Sequence, residues 1–216
     1  MNTTKLMLVL FHLPIFAVAI HAFFLYKKLD LGLKLLAGYL LGTGILYAIS
    51  LFLWFLHINN LCILHVMVPL RFVCLVLIYK NILNGYVRWW ALYLLAAGFC
   101  VYSVINTIYW EPWNTFNSGA MTIESILMVI LSLSTYVFLM DKRMTEHLRH
   151  SLRSVEWINS GVFIYYTSSL ILMYFGVHII QAINPELSRY TWIVHAILSV
   201  IMYYCFWKAI WKRKTT

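Results

Sequence analysis

The chain has 216 residues, 63% hydrophobic, 17% aromatic and only 11% charged, with a net charge of +9 and a mean hydropathy of +0.82. A soluble domain is about 45–50% apolar and about 25% charged, so this is the composition of a membrane protein, with no stretch left for a soluble kinase, ATPase or nucleotide-binding module. Cys62, Cys74, Cys100 and Cys205 all sit in apolar stretches without CxxC spacing, which argues against a disulfide framework or a zinc knuckle.

At about 20 apolar residues per crossing, seven runs can be marked in chain order: Leu6 to Tyr26, Leu35 to Leu56, Leu61 to Tyr79, Trp89 to Tyr109, Ala120 to Met140, Trp157 to Ile180 and Thr191 to Trp211. The first contains Ala17-Val18-Ala19, which resembles a signal-peptidase site, but His12 and Pro14 interrupt the apolar core that a cleaved signal needs. Between the runs lie short turns and one longer charged connection, Asp141 to Glu156. There Leu148 and Leu152 stand four apart among Arg149, His150 and Arg153, the pattern of a docking or headgroup-binding surface.

Thirteen of the sixteen basic residues fall on one side of these runs: Lys27, Lys28, Lys34, Lys80, Arg88, Lys142, Arg143, Arg149, Arg153, Lys208, Lys212, Arg213 and Lys214. Lys5 and Arg189 fall on the other, and Arg71 lies within a span. By the positive-inside rule the expectation is an all-α membrane protein, a seven-transmembrane-helix bundle in a single domain, N-terminus outside and C-terminus cytoplasmic. The basic charge thus follows membrane orientation rather than nucleic acid. Trp110, Trp113, Trp157 and Trp211 fall at the span boundaries, where interfacial tryptophans belong.

Polar groups are costly in hydrocarbon, so those inside the spans carry the functional signal. Of seven acidic residues only Glu124 is within a span, and Arg71 is the one basic residue near a span centre, so their pairing is the least costly arrangement. His12, His65, Glu124 and His195 fall at one level in the outer third of four different helices, with Arg71 about 9 Å deeper than His65. Those positions predict a polar pocket open to the outside. Ser199 shares a face with His195, and Pro69 shares one with His65 and frees a backbone carbonyl nearby. His21 lies about 180° around the helix from His12 and belongs to no common site. Asn117 and Asn159 read as helix caps or interhelical hydrogen-bonding residues.

Three segments add a likeness. His65-Val66-Met67-Val68-Pro69-Leu70, Asn114-Thr115-Phe116-Asn117-Ser118 with Thr122-Ile123-Glu124-Ser125, and Trp157-Ile158-Asn159-Ser160-Gly161 with Trp192-Ile193-Val194-His195 resemble a family of bacterial seven-helix membrane proteins. That family is similar to the sensor regions of membrane histidine kinases but lacks the kinase. The resemblance implies a sensing or relay role in the bacterial inner membrane, a separately encoded kinase as partner, and His65, Glu124, Asn159 and His195 as pattern positions. The chain departs from that pattern at Arg71, where a glutamate is expected.

Three function classes follow. A receptor-like sensor would bind a small ligand or proton in the outer pocket and pass the change to a histidine kinase or other cytoplasmic protein. A metal-dependent membrane enzyme would use His12, His65, Glu124 and His195 as ligands for zinc or iron, each from a different helix because no HxxxH or HExxH pair occurs. A small transporter would show two repeated halves, and no repeat is evident. Retinal is disfavoured, since no lysine lies mid-membrane to carry a Schiff base. Ligand identity and self-association are left open by the sequence.

Overall fold

The computed structural model describes residues 3–141, 152–175 and 185–211, with side chains for 10, 11, 13–141, 152–172 and 193–211. Lys142, Arg143, Leu148, Arg149, His150 and Lys212 to Lys214 lie outside the described residues, as do the side chains of Lys5, His12 and Arg189. Among the described residues there are seven α-helices: α1 (Thr3–Leu25), α2 (Leu31–Phe55), α3 (Leu61–Ile82), α4 (Trp89–Tyr109), α5 (Ser118–Met140), α6 (Leu152–Phe175) and α7 (Pro185–Trp211). A short 3-10 turn, Tyr26–Lys28, follows α1.

Local chemistry sets the ends. The Asp30 side chain accepts from Leu33 N at 2.8 Å and so caps α2. At the other end His57 takes a left-handed conformation, φ 57°, with His57 N bonded to Trp54 O and Ile58 N to Leu53 O. This is a Schellman stop closed by a residue other than glycine. Gly85, at φ 85°, makes the tight turn from α3 to α4. Helix α3 runs unbroken through Pro69.

Helices α2, α3, α4, α5 and the Ile193–Trp211 part of α7 are long and apolar enough to cross a bilayer. The distribution of side chains agrees with that solvent. Leu94, Val101, Val104, Ile108, Ile130 and Val137 point outward, while Arg71, Asn106, Asn117, Glu124, Ser132 and Asn159 are buried between helices. A water-soluble bundle has the reverse arrangement. The protein is a multi-pass helical membrane protein.

The neighbour relations close a ring: α1 packs on α2, α2 on α3, α3 on α5, α5 on α6, α6 on α7, and α7 returns to α1. Helix α4 packs on α3 and α5 from outside this ring. Two starts differ from the apolar runs. Helix α6 begins at Leu152 rather than Trp157, and α7 at Pro185 rather than Thr191, because helix hydrogen bonding continues past the apolar core into polar sequence. Trp157 therefore sits more than a turn inside α6, and Pro185 occupies a first-turn position where a missing N–H costs nothing.

The α6–α7 contact is the most extensive in the ring, and Gly161 permits it. A Cβ there would lie 2.8 Å from Cys205 Cβ and 3.3 Å from the Met202 carbonyl. Nearby, Ser154 Oγ donates to Ala209 O at 2.8 Å. Gly161→Leu should separate the two helices at a cost of about 1–3 kcal/mol, read as a lower unfolding midpoint in lipid nanodiscs. An unchanged midpoint would show that the helices do not approach this closely.

Candidate functional site

Arg71 on α3 and Glu124 on α5 form a buried ion pair, with side-chain exposures of 5% and 0%. Arg71 Nε donates to Glu124 Oε1 at 2.8 Å, and Nη2 donates to Oε2. Tyr166 OH on α6 donates to Oε1 at 2.8 Å. The Arg71 guanidinium also lies over the rings of Tyr165 and Tyr166, 5.9 and 5.6 Å from their centroids. Two-pronged pairing and stacking on aromatic faces both require the planar fork of arginine, which lysine lacks.

The network continues to α7. Arg71 Nη1 donates to Tyr165 OH at 3.4 Å. Tyr165 OH lies 3.2 Å from His195 Nε2, and Ser169 Oγ lies 3.3 Å from His195 Nδ1. Both partners of His195 are hydroxyls, which can donate or accept. One chain of polar contacts thus links α3, α5, α6 and α7.

This chain borders a cavity of about 280 Å³ inside the ring. Its walls come from all six ring helices, through Phe11, Tyr47, Leu64, Met121, Tyr165 and His195 among others, and none from α4. Arg71, Tyr165, His195 and Ser199 form one polar part, Tyr47, Ser50 and Asn60 contribute further polar groups, and Trp54, Asn60 and Phe116 mark the end at the α2–α3 and α4–α5 connections. Ser199 Oγ donates to Ala196 O at 2.7 Å in its own helix.

The sequence expectation places His65, Glu124 and His195 in one pocket. His195 lines the cavity, together with Arg71 and Ser199, but His65 and Glu124 do not. Glu124 is drawn behind the guanidinium because a buried carboxylate gains most where it is paired. His65 is taken up by the connection above it: Nδ1 lies 2.9 Å from Thr107 Oγ1, Nε2 lies 3.1 Å from Thr115 O, and the ring packs on Trp113. A carbonyl only accepts, so Nε2 bears the proton. His65 thereby fastens the Trp110 to Asn117 connection onto α3.

The expected metal set loses support among the described residues. Among the described residues no three His, Cys, Asp or Glu side chains gather where they could hold a metal ion. His65 and Glu124 are engaged as described, and the His12 side chain lies outside the described residues. Asn117 forms an interhelical bond, accepting from Asn106 Nδ2 at 3.0 Å, and its side chain makes no cap bond to α5. Asn159 joins α6 to α3 and α5: Tyr79 OH and Ser132 Oγ both donate to its Oδ1 at 2.9 Å.

Sequence reasoning passed over three groups. Glu111 anchors the start of α5, accepting from Asn106 Nδ2 at 2.7 Å, from Gly119 N and from Ser118 Oγ. A carboxylate there meets the positive end of the helix, and an acidic residue shortly before a helix start was a readable signal. Tyr165 and Tyr166 carried no such signal among fifteen tyrosines.

In comparisons with known proteins, no family model, curated protein or solved structure matches the chain. The class established is therefore a multi-span all-α membrane protein, and nothing in those comparisons ties it to kinase sensor regions.

Two predictions test this geometry. Arg71→Leu and Glu124→Leu should each cost about 3–5 kcal/mol by stranding a buried charge, while the double variant should be more stable than either single one. Purely additive losses in nanodisc unfolding would contradict the pair. His65→Ala should speed amide hydrogen exchange at residues 110–117 while leaving α6 and α7 protected. Equal exchange there would show that His65 does not hold the connection.

Proposed function

We propose that the protein is a receptor-like membrane sensor and signal relay. It crosses the bacterial inner membrane seven times, with its N-terminus outside and its C-terminus in the cytoplasm. A small ligand or proton enters the ring cavity from outside, and the change passes to a separate cytoplasmic partner such as a histidine kinase. The observation that carries this reading is the cavity wall itself. Its polar part, Arg71, Tyr165 and His195, is continuous with the ion pair that joins α3, α5 and α6. A ligand touching that wall touches the bonds that set helix packing, which is what a two-state sensor requires. The bias of basic residues supports the orientation. The absent metal cluster among the described residues weakens the enzyme alternative.

Two measurements test the proposal. Reporter fusions within 142–151 should read as cytoplasmic, and an external reading would reverse the topology and the direction of the cavity. Neutralising Arg149, His150 and Arg153 together should abolish recovery of a cytoplasmic partner from native membranes while leaving the unfolding midpoint unchanged. Unchanged recovery, or no partner from the unaltered protein, would remove the relay.

A further inference from the structure

We infer that the cavity selects an uncharged amphipathic ligand with a carbonyl head and an apolar body, and discriminates against both amines and carboxylates. The inference rests on reading the cavity as the ligand pocket of the sensor.

The head chemistry follows from what Arg71 has left to offer. A guanidinium carries five N–H donors. Two are spent on Glu124 and one on Tyr165 at 3.4 Å, so two remain on a residue that lines the cavity. A buried donor without an acceptor is costly, and an incoming carbonyl oxygen supplies the acceptor. Ammonium groups find no counterpart. The carboxylate that could receive one, Glu124, is fully buried behind Arg71 and outside the lining.

The charge balance separates carbonyl from carboxylate. Among the described lining residues Arg71 alone carries a fixed charge, and Glu124 already neutralises it through two bonds. The formal charge of the Arg71–Glu124 pair is therefore zero. A carboxylate entering beside it would bring an uncompensated charge into a low-dielectric site, which is penalised, whereas a carbonyl brings only an acceptor. Away from the head the wall is mainly apolar and aromatic, through Leu64, Met67, Phe116 and Met121, with Tyr47, Ser50 and Asn60 as further polar members, and Asn60 Nδ2 donates to Ser50 Oγ at 2.8 Å. The volume, about 280 Å³, is just below the roughly 300–1,000 Å³ that drug-sized ligands occupy. The ligand is accordingly smaller than those.

The test uses the full chain in nanodiscs with four matched probes: 2-octanone, octanoate, octylamine and n-octane. Equilibrium partitioning against protein-free nanodiscs reports occupancy. The infrared carbonyl stretch of 2-octanone reports hydrogen bonding. The expected result is saturable 2-octanone binding at least tenfold tighter than that of the other three, with its carbonyl band shifted to lower frequency than in protein-free nanodiscs. Leu64→Trp, which fills the apolar part without touching Arg71, should abolish both the saturation and the shift. Tighter binding of octanoate would overturn the charge argument, and tighter binding of octylamine would overturn the donor argument. Equal binding of ketone and alkane, an unshifted band, or persistence in Leu64→Trp would each overturn the inference. If 2-octanone fails while a cytoplasmic partner is still recovered, only the ligand class falls. If 2-octanone binds and no partner is recovered, the relay falls and the pocket chemistry stands.

Discussion

A guanidinium and a carboxylate buried together in the membrane interior constrain everything around them. Either group alone would carry a penalty of several kcal/mol on leaving water, so neither α3 nor α5 can shift independently without separating a charge pair. Tyr166 adds α6 to the same constraint by donating to Glu124, and Tyr165 reaches α7 through His195. Four of the six ring helices are thus referred to one pair of side chains. The aromatic faces over Arg71 are part of the same solution, because they pack against the guanidinium without competing for its donors.

Around this centre the bundle obeys the logic of a lipid solvent. Apolar association drives helices together only weakly where the surroundings are equally apolar, so close backbone approach and interhelical hydrogen bonds must do so. Both devices are present on the side of the ring formed by α5, α6 and α7. Gly161 brings α6 against Cys205 and Met202, and Asn159 ties α6 to Ser132 and Tyr79. Helix α4 has a different task. From outside the ring it delivers Thr107 to His65 and Asn106 to Glu111 and Asn117, so its end positions the connection that starts α5.

The fold was legible because apolar runs near the length of a bilayer are a strong signal, and each marked run corresponds to one helix among the described residues. The ends were less legible: α6 and α7 extend into polar sequence that hydropathy does not mark. Within the site, Arg71 and Glu124 could be paired from sequence because each is the single charge of its sign deep in a span. The partners of the three depth-matched residues could not be read that way. Depth along a helix is recoverable from residue number, but the direction a side chain takes depends on helix rotation, which apolar residues on every face leave undetermined. His65, Glu124 and His195 accordingly face a loop, an arginine and a cavity. Tyr165 and Thr115 acquire their roles only through contacts distant in sequence, with His195 and His65.

The same contacts determine where a ligand's influence can travel. A ligand shifts an equilibrium only through a difference in its affinity for two arrangements, and the cavity wall contains both rigid and less tightly held parts. Arg71 is fixed by two bonds to Glu124, whereas the Tyr165 contacts with Arg71 and His195 are long, at 3.4 and 3.2 Å. An acceptor at Arg71 takes the N–H groups that Glu124 and Tyr165 leave unused and so sits beside the weaker link, between the ion pair and the α6–α7 unit. Helices α6 and α7 move together if they move at all, because Gly161 and the Ser154 to Ala209 bond lock them over the stretch leading to Leu152 and Trp211. Those ends adjoin the charged connection and the basic tail in sequence. On the sensor reading proposed above, a displacement begun at Tyr165 would run along the α6–α7 unit toward the face where the sequence concentrates its basic residues, with the α3–α5 pair as the fixed reference.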